Sequence, residues 1–132
     1  MPYPDLDYNL TDEQKAKRDG WREFGSQVMR PVGLELDKLA DPADVIAEGS
    51  ALWDVFKKYR EEGHHARGFS KAFGGTLEDN MDPIAGMIST EEMGYWDSGL
   101  AVSLGVAGMP FAFCQMSSEP VLQQLARDYV AD

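Results

Sequence analysis

His64 and His65 are adjacent, and they are the chain's two histidines. Neighbouring side chains on a helix or strand point apart. With no cysteine or second histidine pair nearby, the two read as loop packing rather than a metal site. Cys114, the single cysteine, sits among Phe111, Ala112, Phe113 and Met116. That setting suits a buried, inert thiol, since a nucleophilic cysteine needs positive charge beside it. A lone cysteine also excludes an intramolecular disulfide and a four-cysteine zinc site. Gly74-Gly75 has no GxGxxG or Walker pattern around it, so it reads as a tight turn and not a phosphate cradle. Met81, Met87, Met93, Met109 and Met116 read as core filler.

Glu91-Glu92 is the one acidic pair whose placement asks for an explanation. On a helix, Ile84, Met87, Ile88 and Tyr95 share a face at i, i+3, i+4 and i+11. Glu91, at i+7, falls in the middle of that face, and Glu92 lies toward its edge. A carboxylate on an apolar stripe is costly unless it is paired. A buried ion pair of Glu91 with Arg22, Arg67 or Lys71 is the first reading. A solvated edge is the second, and a catalytic acid or base the third.

The elements that must position these residues are helices. Thr11 is an N-cap with Gln14 at the capping-box position, opening a first helix from Thr11 to Leu39. Trp21, Phe24, Val28 and Val32 form its apolar stripe, Pro31 should kink or restart it, and Asp41-Pro42 ends it. A second helix runs from about Val45 to Glu62, burying Ile46, Leu52, Trp53, Phe56 and Tyr59, with Gly63 as its stop. From His64 to Met81 the glycines predict an ordered loop, anchored on the core by Phe69 and Phe73. A third helix starts at Asp82-Pro83 and ends near Asp97. A fourth starts at Ser98 and reaches Met109 or Phe113, split by Pro110. A last amphipathic helix begins at Ser118-Glu119-Pro120 and carries Val121, Leu122, Leu125 and Tyr129. No strand shows a period of two, so the fold class is all-α: a bundle of about five helices with an ordered Gly-containing loop.

Composition limits the partners. Of 132 residues, 43% are hydrophobic and 27% charged, the balance of one globular domain. Twelve basic against 23 acidic residues leave a net charge of −11. Nucleic acid binding needs a basic face, and that charge argues against it and against an anionic membrane surface. Residues 98–118 carry no charge, a length that could span a bilayer. Their glycines, serines and Pro110, with acidic flanks at Asp97 and Glu119, favour a buried helix rich in small residues. Met1 to Tyr8 offers no basic start and no apolar run, so the expected location is cytoplasmic.

Taken in order, these features resemble the N-terminal helical domain of the acyl-CoA dehydrogenases. The passage from Leu10-Thr11-Asp12-Glu13-Gln14 through Phe24 to Pro31 and Asp37 is similar to the family's opening helix. Trp53 to Gly63, then Phe69-Ser70-Lys71-Ala72-Phe73-Gly74-Gly75, resembles its "helix, Gly, Leu, then Pro-Glu-x-Tyr-Gly-Gly" passage, with Ser70 standing where proline is usual. Asp82 through Ile88, Glu91-Glu92, Tyr95 and Asp97-Ser98-Gly99-Leu100-Ala101 resemble its "isoleucine, Glu-Glu-Leu" helix and the small-residue helix after it. Ser118-Glu119-Pro120 to Tyr129 sits where the family has "Gly-Ser-x-Glu-x-Lys" and its next helix. The likeness runs over nearly the whole chain from Leu10.

The resemblance implies a division of labour. Residues 1–9 would be an N-terminal extension and 10–132 the helical domain, with the flavin-binding β-domain and the C-terminal helical domain lying outside them. The intact enzyme would use FAD to introduce a 2,3-double bond into an acyl-CoA, a carboxylate removing the α-proton as hydride leaves the β-carbon. This domain would supply one wall of the acyl pocket, from Ala101, Val102, Gly105, Val106 and Met109. Gly105 stands where some members carry a larger side chain that floors a shorter cavity; close helix–helix packing is the alternative reason for a glycine there. No catalytic or cofactor-binding residue is carried over, and the intact protein would be a homo- or hetero-oligomer. A free-standing helical interaction module, or a partner subunit of a hetero-oligomeric dehydrogenase, is the alternative function.

Overall fold

The computed structural model describes residues 9–77 and 82–132. Met81 and nearly all of the expected N-terminal extension lie outside the described residues. Among those described, the chain is mostly helical and has no strand, only an isolated bridge between Ser70 and Leu77.

Helix α1 (Asp12–Phe24) opens with the expected capping box: Thr11 Oγ1 accepts from the Gln14 amide, and Gln14 Oε1 accepts from the Thr11 amide. Gln14 is buried, and its Nε2 donates to Asp82 Oδ2 at 2.8 Å. One glutamine thus ties the starts of two helices together. The helix restarts around Pro31, which lies in the first turn of a new segment. A π-helical turn, Gly25–Met29, precedes α2 (Arg30–Leu36), and the Arg30 amide reaches back to the Gly25 carbonyl. Widening the turn just before the proline leaves its ring and missing N–H accommodated in a continuous rod. The extra residue also rotates the remainder of the rod. Trp21 and Phe24 are buried as expected, but Val28 and Val32 are only partly so, while Gly25, Met29 and Gly33 take the inner positions.

The second helix is shorter than expected. Asp41 caps a single turn, α3 (Pro42–Val45), and Ser50 caps α4 (Ala51–Glu61) separately. Gly49, with φ of +81°, makes the left-handed bend between them. Ile46 is therefore outside the helix and exposed, and Trp53 is half exposed, its indole N–H held by the Ala47 carbonyl. Leu52 and the unanticipated Val55 are the buried residues, with Phe56 and Tyr59 packed beside them.

The expected loop is ordered over 64–77. His64–Gly68 and Lys71–Phe73 form 3₁₀ turns, and the Gly75 amide returns to the Ser70 carbonyl. Phe69 is buried and Phe73 is partly buried under the Arg127 guanidinium.

Asp82 caps α5 (Pro83–Trp96) at the Ile84 amide, as expected from Asp-Pro. Its buried side is a correction. Ala85, Ile88, Glu92 and Met93 face inward, whereas Ile84, Met87 and Tyr95 are exposed. Apolar residues lie all round this helix, so periodicity could not choose a face. Helix α6 (Ser98–Ala107) and α7 (Met109–Gln115) are separated at Gly108, with Pro110 in the first turn of α7. Helix α8 (Pro120–Ala131) buries Ala126 and rests Tyr129 flat on Phe111. Val121, Leu122 and Leu125, carried on the amphipathic last helix, are exposed.

The core joins α1, the π turn, α4, α5 and α6 through Trp21, Phe24, Met29, Leu52, Val55, Met93, Leu100 and Leu104. Of the methionines expected as filler, Met93 is buried, while Met87, Met109 and Met116 face solvent. Met29, not singled out from sequence, is the fully buried one. Cys114 is half buried rather than enclosed.

Candidate functional site

Helix α6 is set at its start by Asp97, whose Oδ1 accepts the Leu100 amide at 2.8 Å. Leu100 and Leu104 bind it to the core. The other side of the helix is open. Val102 is 63% exposed, with Val106 and Met109 about half exposed and Gly105 facing open space. Ala101 is partly buried at the edge of the core. Exposed apolar residues continue onto α7 as Phe113 and Met116. A Cβ on Gly105 would meet no atom within 4 Å. Close helix packing within this domain therefore does not account for the glycine.

Such a surface can bury aliphatic carbon at about 25 cal/mol per Å² and can do no acid–base chemistry. The Ser103 hydroxyl already donates to the Gly99 carbonyl. The surface is apolar and solvent-facing.

The carboxylate that sequence reasoning placed in the core is Glu92, not Glu91. Glu92 is 2% exposed and accepts from Arg22 Nε at 2.9 Å, whereas Glu91 is on the exposed side of α5. The pairing partner was among those expected; the position was one residue off, because the face of α5 was. This pair joins α1 to α5 inside the fold, a structural role.

The family model described as acyl-CoA dehydrogenase, N-terminal domain, matches residues 11–126. The chain belongs to this family. No curated protein and no solved structure matches it. As an acyl-CoA dehydrogenase N-terminal domain, it has the all-helical fold expected of it, with the exposed helix α6 on its surface.

This acyl-CoA dehydrogenase domain also carries a cleft of about 590 Å³ along α1, lined by Trp21, Phe24, Glu62, His64 and Arg67 among others. Sequence inspection could not assemble it, since its walls come from 13–28 and 62–67. His64 lies flat on Trp21, with centroids 4.3 Å apart, and edge-on to Phe24. His64 Nε2 sits 3.0 Å from Glu62 Oε2, and its Nδ1 is buried without a partner. In the neutral ring Nε2–H donates to Glu62; a second proton on Nδ1 would find no acceptor. Burial, then the positive Arg67, hold the imidazole down at about 4. Arg67 stands over the Trp21 ring at 4.7 Å, and not on a carboxylate. His65 turns the other way, its Nε2 against the Val130 carbonyl at 3.2 Å. Loop and core packing use both rings.

Proposed function

We propose that this chain is the N-terminal domain of a flavin-dependent dehydrogenase that oxidises acyl-CoA thioesters across the α,β bond. Helix α6 and the start of α7 supply one wall of the acyl pocket, through Ala101, Val102, Gly105 and Val106 of α6 and Met109 of α7. The observation that carries this reading is the uncharged, solvent-facing side of α6, on a helix whose first turn is capped and whose inner side is locked to the core. A rigid apolar wall orders a flexible chain at little cost to itself, which is what holding a reacting bond in place requires.

FAD, when bound, supplies the hydride acceptor; it and the proton-abstracting carboxylate belong to parts of the enzyme outside these residues. The contribution of this domain is to exclude water from the acyl chain and to limit its length and width. By length and composition residues 98–115 could also cross a bilayer. The break at Gly108 and the acidic flanks support a substrate wall instead. We assign the protein to the cytoplasm and to an oligomer.

The alternative, a helical interaction module or the partner subunit of a hetero-oligomeric dehydrogenase, draws on the exposed Ile84, Met87 and Tyr95 of α5. Purification of the longest natural protein containing this chain separates the two. Bound flavin with turnover of an acyl-CoA series, read with an electron-accepting dye, supports the enzyme. Colourless protein without turnover supports the module, and flavin carried on a separate co-purifying chain supports the partner subunit.

A further inference from the structure

We propose that Gly25 and Gly33, brought onto one side of the first helix by its π turn, form a seat for the corner between α5 and α6 and act as positioning residues for the α6 wall. The wall's use as an acyl pocket rests on the proposed dehydrogenase function; the seat stands on the packing.

Neither glycine is there for backbone freedom. Gly25 has φ of −61° and ψ of −47°, and Gly33 is not among the glycines with positive φ. Each weakens the rod it sits in relative to alanine. What each provides is the missing Cβ. A Cβ on Gly25 would fall inside the Trp96 indole, and one on Gly33 inside the Asp97 carboxylate. Trp96 and Asp97 are consecutive: the first ends α5, and the second caps α6.

The π turn makes the double contact possible. Eight α-helical steps from Gly25 would leave Gly33 about 80° round the rod. One residue taken up by the wider turn leaves seven effective steps, about 700°, or some 20° short of two full turns. Both glycines then face the same corner. Arg30, between them, donates from Nη1 to the Trp96 carbonyl at 3.4 Å. The indole Nε1 is buried with no hydrogen-bond partner, so shape holds the ring in its seat. The Asp97 carboxylate divides its two oxygens: Oδ1 accepts the Leu100 amide, and Oδ2 lies against Gly33. The group that fixes the first turn of α6 thus rests on the first helix.

The test is amide hydrogen exchange on this chain. Gly33→Ala should force the Asp97 carboxylate away and speed exchange at Leu100 and Ala101 by about tenfold or more, with α4 amides changing less than about twofold. Adding Asp97→Ser, a shorter cap, should restore both amides. A uniform rise across α1, α4 and α6, or no rescue, overturns the seat. If Gly33→Ala alone does not fold, the double variant should fold with the unfolding midpoint of Asp97→Ser; failure there also overturns it. In the longer enzyme, Gly33→Ala should shift the ratio of kcat/KM between long and short acyl-CoAs, and the double variant should bring it back. Local exchange without that shift overturns the acyl wall and leaves the seat, so the two failures are distinct.

Discussion

Arg22 of α1 and Glu92 of α5, seventy residues apart in sequence, meet at 2.9 Å with the carboxylate almost wholly out of solvent. Glu92 Oε1 takes the guanidinium, and Oε2 is buried without a hydrogen-bond partner. A carboxylate enclosed this way depends on its one strong partner. Arg22→Ala should therefore destabilise the domain by about 3–5 kcal/mol, more than Glu92→Gln, which removes the charge as well as the pair. Glu91→Gln, on the exposed side, should stay within about 0.5 kcal/mol. Urea midpoints of the three variants check this order; equal effects at Arg22 and Glu91 would contradict it.

His64 should make stability fall in mild acid. Its folded pKa of about 4 lies below the ordinary 6.5, so the unfolded chain takes up the proton first. The neutral ring's contribution is complete above about pH 6.5 and is lost as pH falls toward 4. At roughly 1.4 kcal/mol per unit, the loss is on the order of 2–3 kcal/mol. Denaturant unfolding at pH 7 and pH 4.5 reads it, and His64→Phe should flatten the slope in that window. Asp82 and Glu61, whose pKa values are lowered by the Gln14 amide and Lys58 respectively, titrate below it.

Gly105→Ala should stabilise this domain by about 0.5–1 kcal/mol, because the new methyl meets nothing and the helix loses an interior glycine. In the longer enzyme Gly105→Leu should remove activity on long or ring-bearing acyl-CoAs while sparing short ones. A thermal melt checks the first statement and a chain-length series the second. Equal loss for every chain length would leave the wall without a role in selectivity.

Gln115 of α7 clamps the loop before α5 at two points, its Oε1 accepting the Ser70 amide and its Nε2 donating to the Gly68 carbonyl. Gln115→Ala should cost about 1–2 kcal/mol and expose the Ser70 amide. Faster exchange there and new proteolytic cuts in 64–77 are the expected readouts; Gln115→Glu should keep only the contact at Ser70.

Several helix starts were legible in the sequence, since capping is local chemistry, but the separate start of α4 at Ser50 was not. Thr11 with Gln14 and Asp82 before Pro83 each satisfy amides two or three residues away. Also legible were a break near Pro110, which falls at Gly108, and the order of pieces that marks the family. Which side of each helix faces in was not. Helix α5 is apolar all round, and only contact with α1 decides that Glu92 and Met93 go inside while Met87 and Tyr95 stay out. One residue added by the π turn moves the inner line of the first helix from Val28 and Val32 to Met29 and Gly33, a rotation that a fixed 3.6-residue period cannot represent. Ala101, Val102, Gly105, Val106 and Met109 could be grouped by spacing alone. That Gly105 opens onto space and not onto a neighbouring helix is a property of the packed chain, because an absent contact leaves no mark on local sequence.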